Sequence, residues 1–297
     1  MRDDESLPGV ELDDPSSLGS IDDSISSESA SLMIPRPIDE ARPAELVYAP
    51  GQHVASGLRL VHKVGEGGMG EVWRAYHARR GCEVAVKLIS ATAWAQKNAR
   101  LRFEREGKVG RMITHPHVVQ LLEEGTTAQG LPFLVLELLE GEPLEALLAR
   151  QPRLSVAEVS RIVLQTASAL QEAHRVGVVH RDIKPENIFL VRPPPEIEIK
   201  LFDFGIAKKA SGHQTKLTAV GTLLGTPFYM NPEQLLDAAP VDYHADLWAL
   251  SAVAYTALCG TTVFEADTML GLVKAMRRLA IVPLSAHRPD IGPRLDA

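Results

Sequence analysis

Cysteine is almost missing from this chain. Two residues in 297 cannot build a disulfide framework, which excludes the small disulfide-stapled folds and fits a reducing compartment. Long apolar runs are missing as well. The best candidate, residues 249–259, is far shorter than the roughly 20 residues of a membrane helix, so it reads as a buried core helix. The opening residues, MRDDESLPGV, carry neither a basic flank nor an apolar stretch, so no secretory signal is expected and the cytoplasm is the expected location. No repeat of fixed period occurs, which excludes solenoid architectures.

What is present is unevenly distributed. Through Tyr48 there are 12 acidic residues against 3 arginines, whereas the remainder, with 28 basic and 26 acidic residues, is nearly balanced. Residues 1–50 also contain serine runs and scattered prolines, with too little apolar surface to offset the entropy of ordering, so they read as a disordered acidic leader. That leader is either a solvated tether or a tail that regulates or binds a partner. Nucleic acid is not an expected partner.

From Leu58 the texture changes. LRLVHKV, EVWRAYH and CEVAVKLI are short runs rich in β-branched and aromatic residues, and they predict three antiparallel strands. Residues 94–112 have helical period, and VVQLLEE and PFLVLEL predict two further strands. Beyond Gly141 the pattern predicts helices over residues 143–150, 155–175, 243–259 and 268–279, with Ser155 and Glu158 forming a capping box. The expectation is an α+β chain: a small β-rich lobe at 51–137, a join at 137–141 and a larger helical lobe at 142–297.

Three clusters carry chemistry. Gly65, Gly67 and Gly70 form a GxGxxGxV run ending in Val72, in which bare backbone can approach phosphates closely. A strand follows rather than a helix, which disfavours a dinucleotide fold, although a glycine-rich hairpin without a ligand would look the same. Lys87 ends an apolar strand 15 residues after Val72 and could reach phosphates if Glu106, on the next helix, held it; an ordinary strand-end lysine is the alternative. The third cluster, HRDIKPEN, is followed by Asp203-Phe204-Gly205, 21 residues after Asp182. Phosphoryl transfer needs a carboxylate to orient the attacking hydroxyl, a cation near the γ-phosphate, and oxygen ligands for a metal ion. Asp182 and Lys184 supply the first two, and Asn187 and Asp203 the last.

Together these motifs resemble the eukaryotic-type (Hanks-type) protein kinases, most closely the bacterial serine/threonine kinases, from about Gly57 onward. The resemblance implies a bilobal protein-kinase fold, a small β-rich N-lobe with helix C and a larger mainly helical C-lobe. It implies ATP as phosphate donor, Mg2+ (or Mn2+ in its place), and Ser/Thr hydroxyls of protein substrates as acceptors. Gly65, Gly67 and Gly70 would cover the phosphates, and Val64, Val72 and Ala85 would line the adenine pocket. Lys87 would pair with Glu106, the hinge would run through Glu137, Leu138 and Leu139, Leu136 would be the gatekeeper, and Phe189 the pocket floor. Asp182 would be the catalytic base, Lys184 the γ-phosphate cation, Asn187 and Asp203 the metal ligands, and Asp246 an anchor of the backbone around His180 and Arg181. Lys184 and Thr226 both match the Ser/Thr-specific pattern. Arg181, beside the base, calls for an anion, which a phosphate on Thr215, Thr218 or Thr222 would supply by charge-assisted bonds, Thr218 and Thr222 being favoured. A dimer would permit such autophosphorylation in trans.

Four departures stand out. Gly107 and Gly110 each cost about 1 kcal/mol in a helix interior, so loose positioning of Glu106 is expected. Asn231 and Ser251 replace usual family residues. The last C-lobe helices, with the arginine that pairs with Glu233, are expected to be missing, so the chain reads as C-terminally truncated, and a membrane anchor further downstream is compatible. The competing readings are a catalytically silent scaffold and a metabolite kinase. Cys82, Cys259, His174 and Trp248 read as packing residues.

Overall fold

The computed structural model describes residues 47–204, 227–236, 241–279 and 281–291. Thr215, Thr218, Thr222, Thr226, Gly205 and most of the leader lie outside the described residues.

The first part is one antiparallel sheet in the order β1-β2-β3-β4-β6-β5: β1 (His53–Ala55), β2 (Leu58–Gly67), β3 (Gly70–His77), β4 (Cys82–Ile89), β5 (Leu121–Thr126) and β6 (Pro132–Glu137). Alternation along β4 explains its two roles. Val84, Val86 and Leu88 enter a buried cluster with Leu60, Trp73 and Phe133, and Ala85 and Lys87, out of phase by one, lie on the opposite face. Val72 pairs with Lys87 and Leu136 with Ala85, so these four share that second face.

The helical stretch at 94–112 is divided in two. Helix α1 (Ala91–Ala95) ends where Gln96 turns extended at φ −83°, ψ 116°, and α2 (Lys97–Met112) follows. The strand expected from Val118 begins only at Leu121, because residues 117–119 bond instead to the strand Glu198–Leu201: Leu201 N–H donates to the His117 carbonyl at 2.9 Å and Val119 N–H to the Leu201 carbonyl at 3.0 Å.

Gly107 and Gly110 are not loose points of α2. A Cβ at Gly107 would lie 2.5 Å from Glu124 Oε1 and 3.2 Å from Leu134 Cδ2, and one at Gly110 would lie 2.9 Å from Leu121 Cβ. The glycines are where the helix approaches β5 and β6 most closely, which offsets their propensity cost. Gly110→Leu is therefore expected to destabilise the fold by about 1–3 kcal/mol through overpacking, despite its better helix propensity. An unchanged Tm would contradict this.

Beyond the hinge, β7 (Glu142–Pro143), β8 (Ile188–Arg192) and β9 (Glu198–Leu201) form a second small sheet. The helices are α3 (Leu144–Arg150), α4 (Val156–Arg175), α5 (Pro232–Leu236), α6 (His244–Cys259), α7 (Met269–Arg278) and α8 (Leu284–His287). Pro143 lies in β7 and flanks α3 rather than starting it. The expected capping box at Ser155 and Glu158 is present. Helices α4 and α6 pack with β8 and β9 around Ile162, Leu170, Ile188, Ile199 and Val253, and α6 is the core helix expected at 249–259. Asn231 accepts from the Gln234 N–H at 3.0 Å and so caps α5. Glu233 is exposed. Among the described residues no helix is long and apolar enough to cross a membrane.

Candidate active site

The glycine run separates into two kinds of position. Gly70 has φ +150°, and a Cβ there would strike the Leu88 carbonyl oxygen, so the fold itself requires glycine. Gly65 and Gly67 have nothing within 4 Å of a notional Cβ and border open space among the described residues. Val64 beside them is exposed. Val72, Ala85, Leu136, Leu139 and Phe189 are all half-buried. The hinge ends at Gly141, where φ is +143° and a side chain would meet the Leu190 carbonyl of β8.

Lys87 joins β4 to α2 and to the Asp203 segment. Its Nζ lies 2.7 and 2.8 Å from the two Glu106 oxygens and 3.1 Å from Asp203 Oδ1, a residue 116 positions away. Burial opposes the charge on Lys87, but the Glu106 and Asp203 carboxylates outweigh it and hold its pKa above the usual lysine value. Burial pushes the Glu106 carboxyl up, with the Lys87 ammonium opposing that shift.

The loop that begins at His180 is built around a buried carboxylate. Asp246, fully buried, accepts from His180 N–H at 2.8 Å, from Arg181 N–H at 2.7 Å, and lies 2.7 Å from His174 Nε2. Arg181 is held at φ +66° and Asp203 at φ +54°, both in the left-handed region that non-glycine residues avoid. Asn187 Nδ2 donates to the Asp182 carbonyl at 2.7 Å and to Asp182 Oδ2 at 3.1 Å. Lys184 Nζ is 3.4 Å from the same Oδ2. His180 is fully buried, and desolvation depresses its pKa, so the ring is neutral. Its Nδ1 accepts from Asp182 N–H, leaving Nε2–H to donate to the Phe202 carbonyl at 3.1 Å. The Phe204 ring lies 4.6 Å from the His180 ring, which ties the loop beginning at His180 to the Asp203 segment.

Of the expected residues, Lys87, Glu106 and Asp203 form one group and Asp182, Lys184 and Asn187 a second, and Phe202 links the two, its N–H donating to the Asn187 carbonyl at 3.3 Å and its carbonyl accepting from His180. The chain belongs to the protein kinase family. The protein kinase domain model matches residues 58–289. Among curated relatives, the chain is 35% identical over 252 residues to the serine/threonine-protein kinase pkn3 of Myxococcus xanthus, covering 83% of this chain and 46% of that one. It is 36% identical over 255 residues to the serine/threonine-protein kinase PknA of Mycobacterium tuberculosis, covering 82% and 56%. The chain therefore spans about half the length of these relatives. The solved PknI kinase domain of Mycobacterium tuberculosis superposes with a TM-score of 0.61 at 29% identity, covering 84% of this chain and 88% of that one. The kinase fold expected from the motifs is the fold found.

Two of the four packing assignments need correction. Cys82 is exposed at the start of β4, whereas Cys259 is buried and Trp248 stacks on Phe264. His174 is not a packing residue but the third partner of Asp246. Its apolar helical setting hid this, because the carboxylate it meets is 72 residues away.

Proposed function

We propose that this chain is an ATP-dependent serine/threonine protein kinase domain that transfers the γ-phosphate of ATP to Ser or Thr hydroxyls of protein substrates. The observation that carries the reading is the convergence of Lys87, Glu106 and Asp203 within 3.1 Å, from a strand, a helix and a loop. Lys87, fixed by Glu106, holds the α- and β-phosphates under Gly65, Gly67 and Gly70. The backbone of Glu137 and Leu139 meets the adenine, whose faces rest on Val64, Val72, Ala85 and Phe189. Asp182 orients the substrate hydroxyl and accepts its proton; Lys184 balances charge at the γ-phosphate.

The donor set fits a Mg2+ ion. Asn187, with its amide nitrogen directed at Asp182, has its oxygen left for a cation, and the Asp203 side chain is half exposed. Oxygen donors of this kind suit a hard cation that keeps waters and shares the phosphate oxygens. When bound, such an ion neutralises charge on the transferring phosphoryl group.

Control by phosphorylation is part of the proposal. Arg181 Nε is buried without a hydrogen-bond partner among the described residues, and Nη2 reaches only the Val241 carbonyl, at 3.3 Å. A guanidinium in that setting supports docking of a phosphate carried by Thr218 or Thr222, with Thr215 as the third candidate.

Incubating the chain with γ-labelled ATP, Mg2+ and otherwise identical Ser, Thr and Tyr peptides tests the reading. Label on Ser or Thr and not Tyr is expected. Nucleotide binding with no transfer would favour the silent scaffold. Mass spectrometry of the active protein is expected to find phosphate on Thr218 or Thr222; active protein unmodified at both would refute that part.

A further inference from the structure

A second charge pair joins the lobes away from the phosphate end of the cleft. Glu137 ends β6, and its N–H donates to the Gln120 carbonyl at 3.0 Å. Its carboxylate Oε1 in turn accepts from the Gln120 N–H at 2.8 Å and from Lys200 Nζ at 2.6 Å. Lys200 lies on β9, opposite Phe189 of β8 and three residues before Asp203. The same strand is bonded to His117 and Val119 through Leu201. One carboxylate therefore meets three segments: the hinge, the connection from α2 to β5, and the strand that leads into Asp203.

The pair is shielded as well as central. The Lys200 side chain is 15% exposed and that of Glu137 26%, so the attraction is screened far less than that of a surface pair.

We propose that Lys200 is a positioning residue for the nucleotide, acting with Glu137 as a strut that holds the hinge at a fixed spacing from Asp203. The inference rests on the kinase reading, in which one ligand must meet the hinge with its adenine and the Asp203 end with its phosphates. A ligand that engages two places at once gains when their separation is already set, because less ordering remains to be done on binding. An ion pair that served stability alone would change Tm without favouring one substrate over the other.

The test uses the full 297-residue chain carrying Lys200→Met, Lys200→Arg, Glu137→Gln, or Lys200→Met with Glu137→Gln. Affinity for a fluorescent ATP analogue with Mg2+, KM for ATP, KM for a peptide substrate, kcat and Tm are measured for each. Lys200→Met is expected to weaken nucleotide affinity and raise KM for ATP by about fivefold to tenfold, within the range of coupling between contacting groups. KM for the peptide stays unchanged, Lys200→Arg retains the wild-type values, and the double variant is no worse than Lys200→Met. Glu137→Gln keeps an acceptor for the Gln120 N–H and removes the charge, so it carries the same signature should Lys200→Met fail to fold. Wild-type nucleotide affinity in folded Lys200→Met or Glu137→Gln, an effect on Tm alone, or additive effects in the double variant would overturn the strut. Because nucleotide affinity is read without transfer, a wild type that transfers nothing but binds ATP more tightly than Lys200→Met would sink the kinase reading and leave the strut standing. Unaltered affinity together with full transfer would do the reverse.

Discussion

Asp182→Asn is expected to lower kcat by about 10²–10⁴-fold while leaving ATP affinity close to that of the wild type. The substitution keeps shape and removes the proton acceptor. Asp182 is positioned from several sides: its N–H donates to His180 Nδ1 at 3.3 Å, its carbonyl accepts from Asn187 at 2.7 Å, and its Oδ2 lies 3.1 Å from Asn187 Nδ2 and 3.4 Å from Lys184 Nζ. The two backbone contacts survive in asparagine, so the loop should hold its form. None of the residues proposed to touch the adenine or the α- and β-phosphates is altered. The loss should therefore fall on the chemical step, where the hydroxyl proton has to leave. Steady-state kinetics with a Ser peptide, alongside a nucleotide titration, separate the two effects. A loss confined to KM would remove Asp182 from the role of base.

The second large effect is on the fold. Asp246→Ala is expected to destabilise the domain by about 3–5 kcal/mol, because it leaves the His180 and Arg181 N–H groups buried with no acceptor and His174 without its carboxylate. For a domain of this size that corresponds to a fall in Tm of roughly 10 °C. The damage should not stop at stability. Arg181 sits at φ +66°, a conformation that persists only where surrounding bonds impose it, and Asp182 is the next residue. Once the Asp246 bonds are gone, the base is free to leave its productive position, so the folded fraction should also show reduced kcat. His174→Ala removes one of the three bonds and should produce a smaller fall in Tm. Calorimetry and kinetics at a temperature where both variants are folded check the pair. Equal Tm values for Asp246→Ala and wild type would show that the catalytic loop is held by other means.

The lobes could be read along the chain because local signals there agree with tertiary need. Alternation in β4 separates Val84 and Val86 from Ala85 and Lys87, and Ser155 with Glu158 marks the start of α4. The grouping of Asp182 with Lys184 and Asn187 was legible for a different reason. Asp182, Lys184 and Asn187 lie within six consecutive residues, so their relation is a matter of spacing. The break at Gln96 and the late start of β5 were not legible, since both are decided by what the segment packs against rather than by its own pattern.

The glycines of α2 show the difference most directly. Taken along the chain, Gly107 and Gly110 weaken a helix; in the fold they are where that helix comes closest to Glu124, Leu134 and Leu121. Helix propensity is a property of a residue and its near neighbours, whereas close approach belongs to two surfaces. What the amino-acid order determined alone was the identity and spacing of the residues in the glycine run, HRDIKPEN and the Asp203 segment, and the division into a strand-rich and a helical part. What the tertiary structure decided was every relation across long separations: Lys87 with Asp203, His174 with Asp246, and Glu137 with Lys200. The reason is that such pairs are fixed by the packing of whole elements, and no local rule of spacing reaches across it.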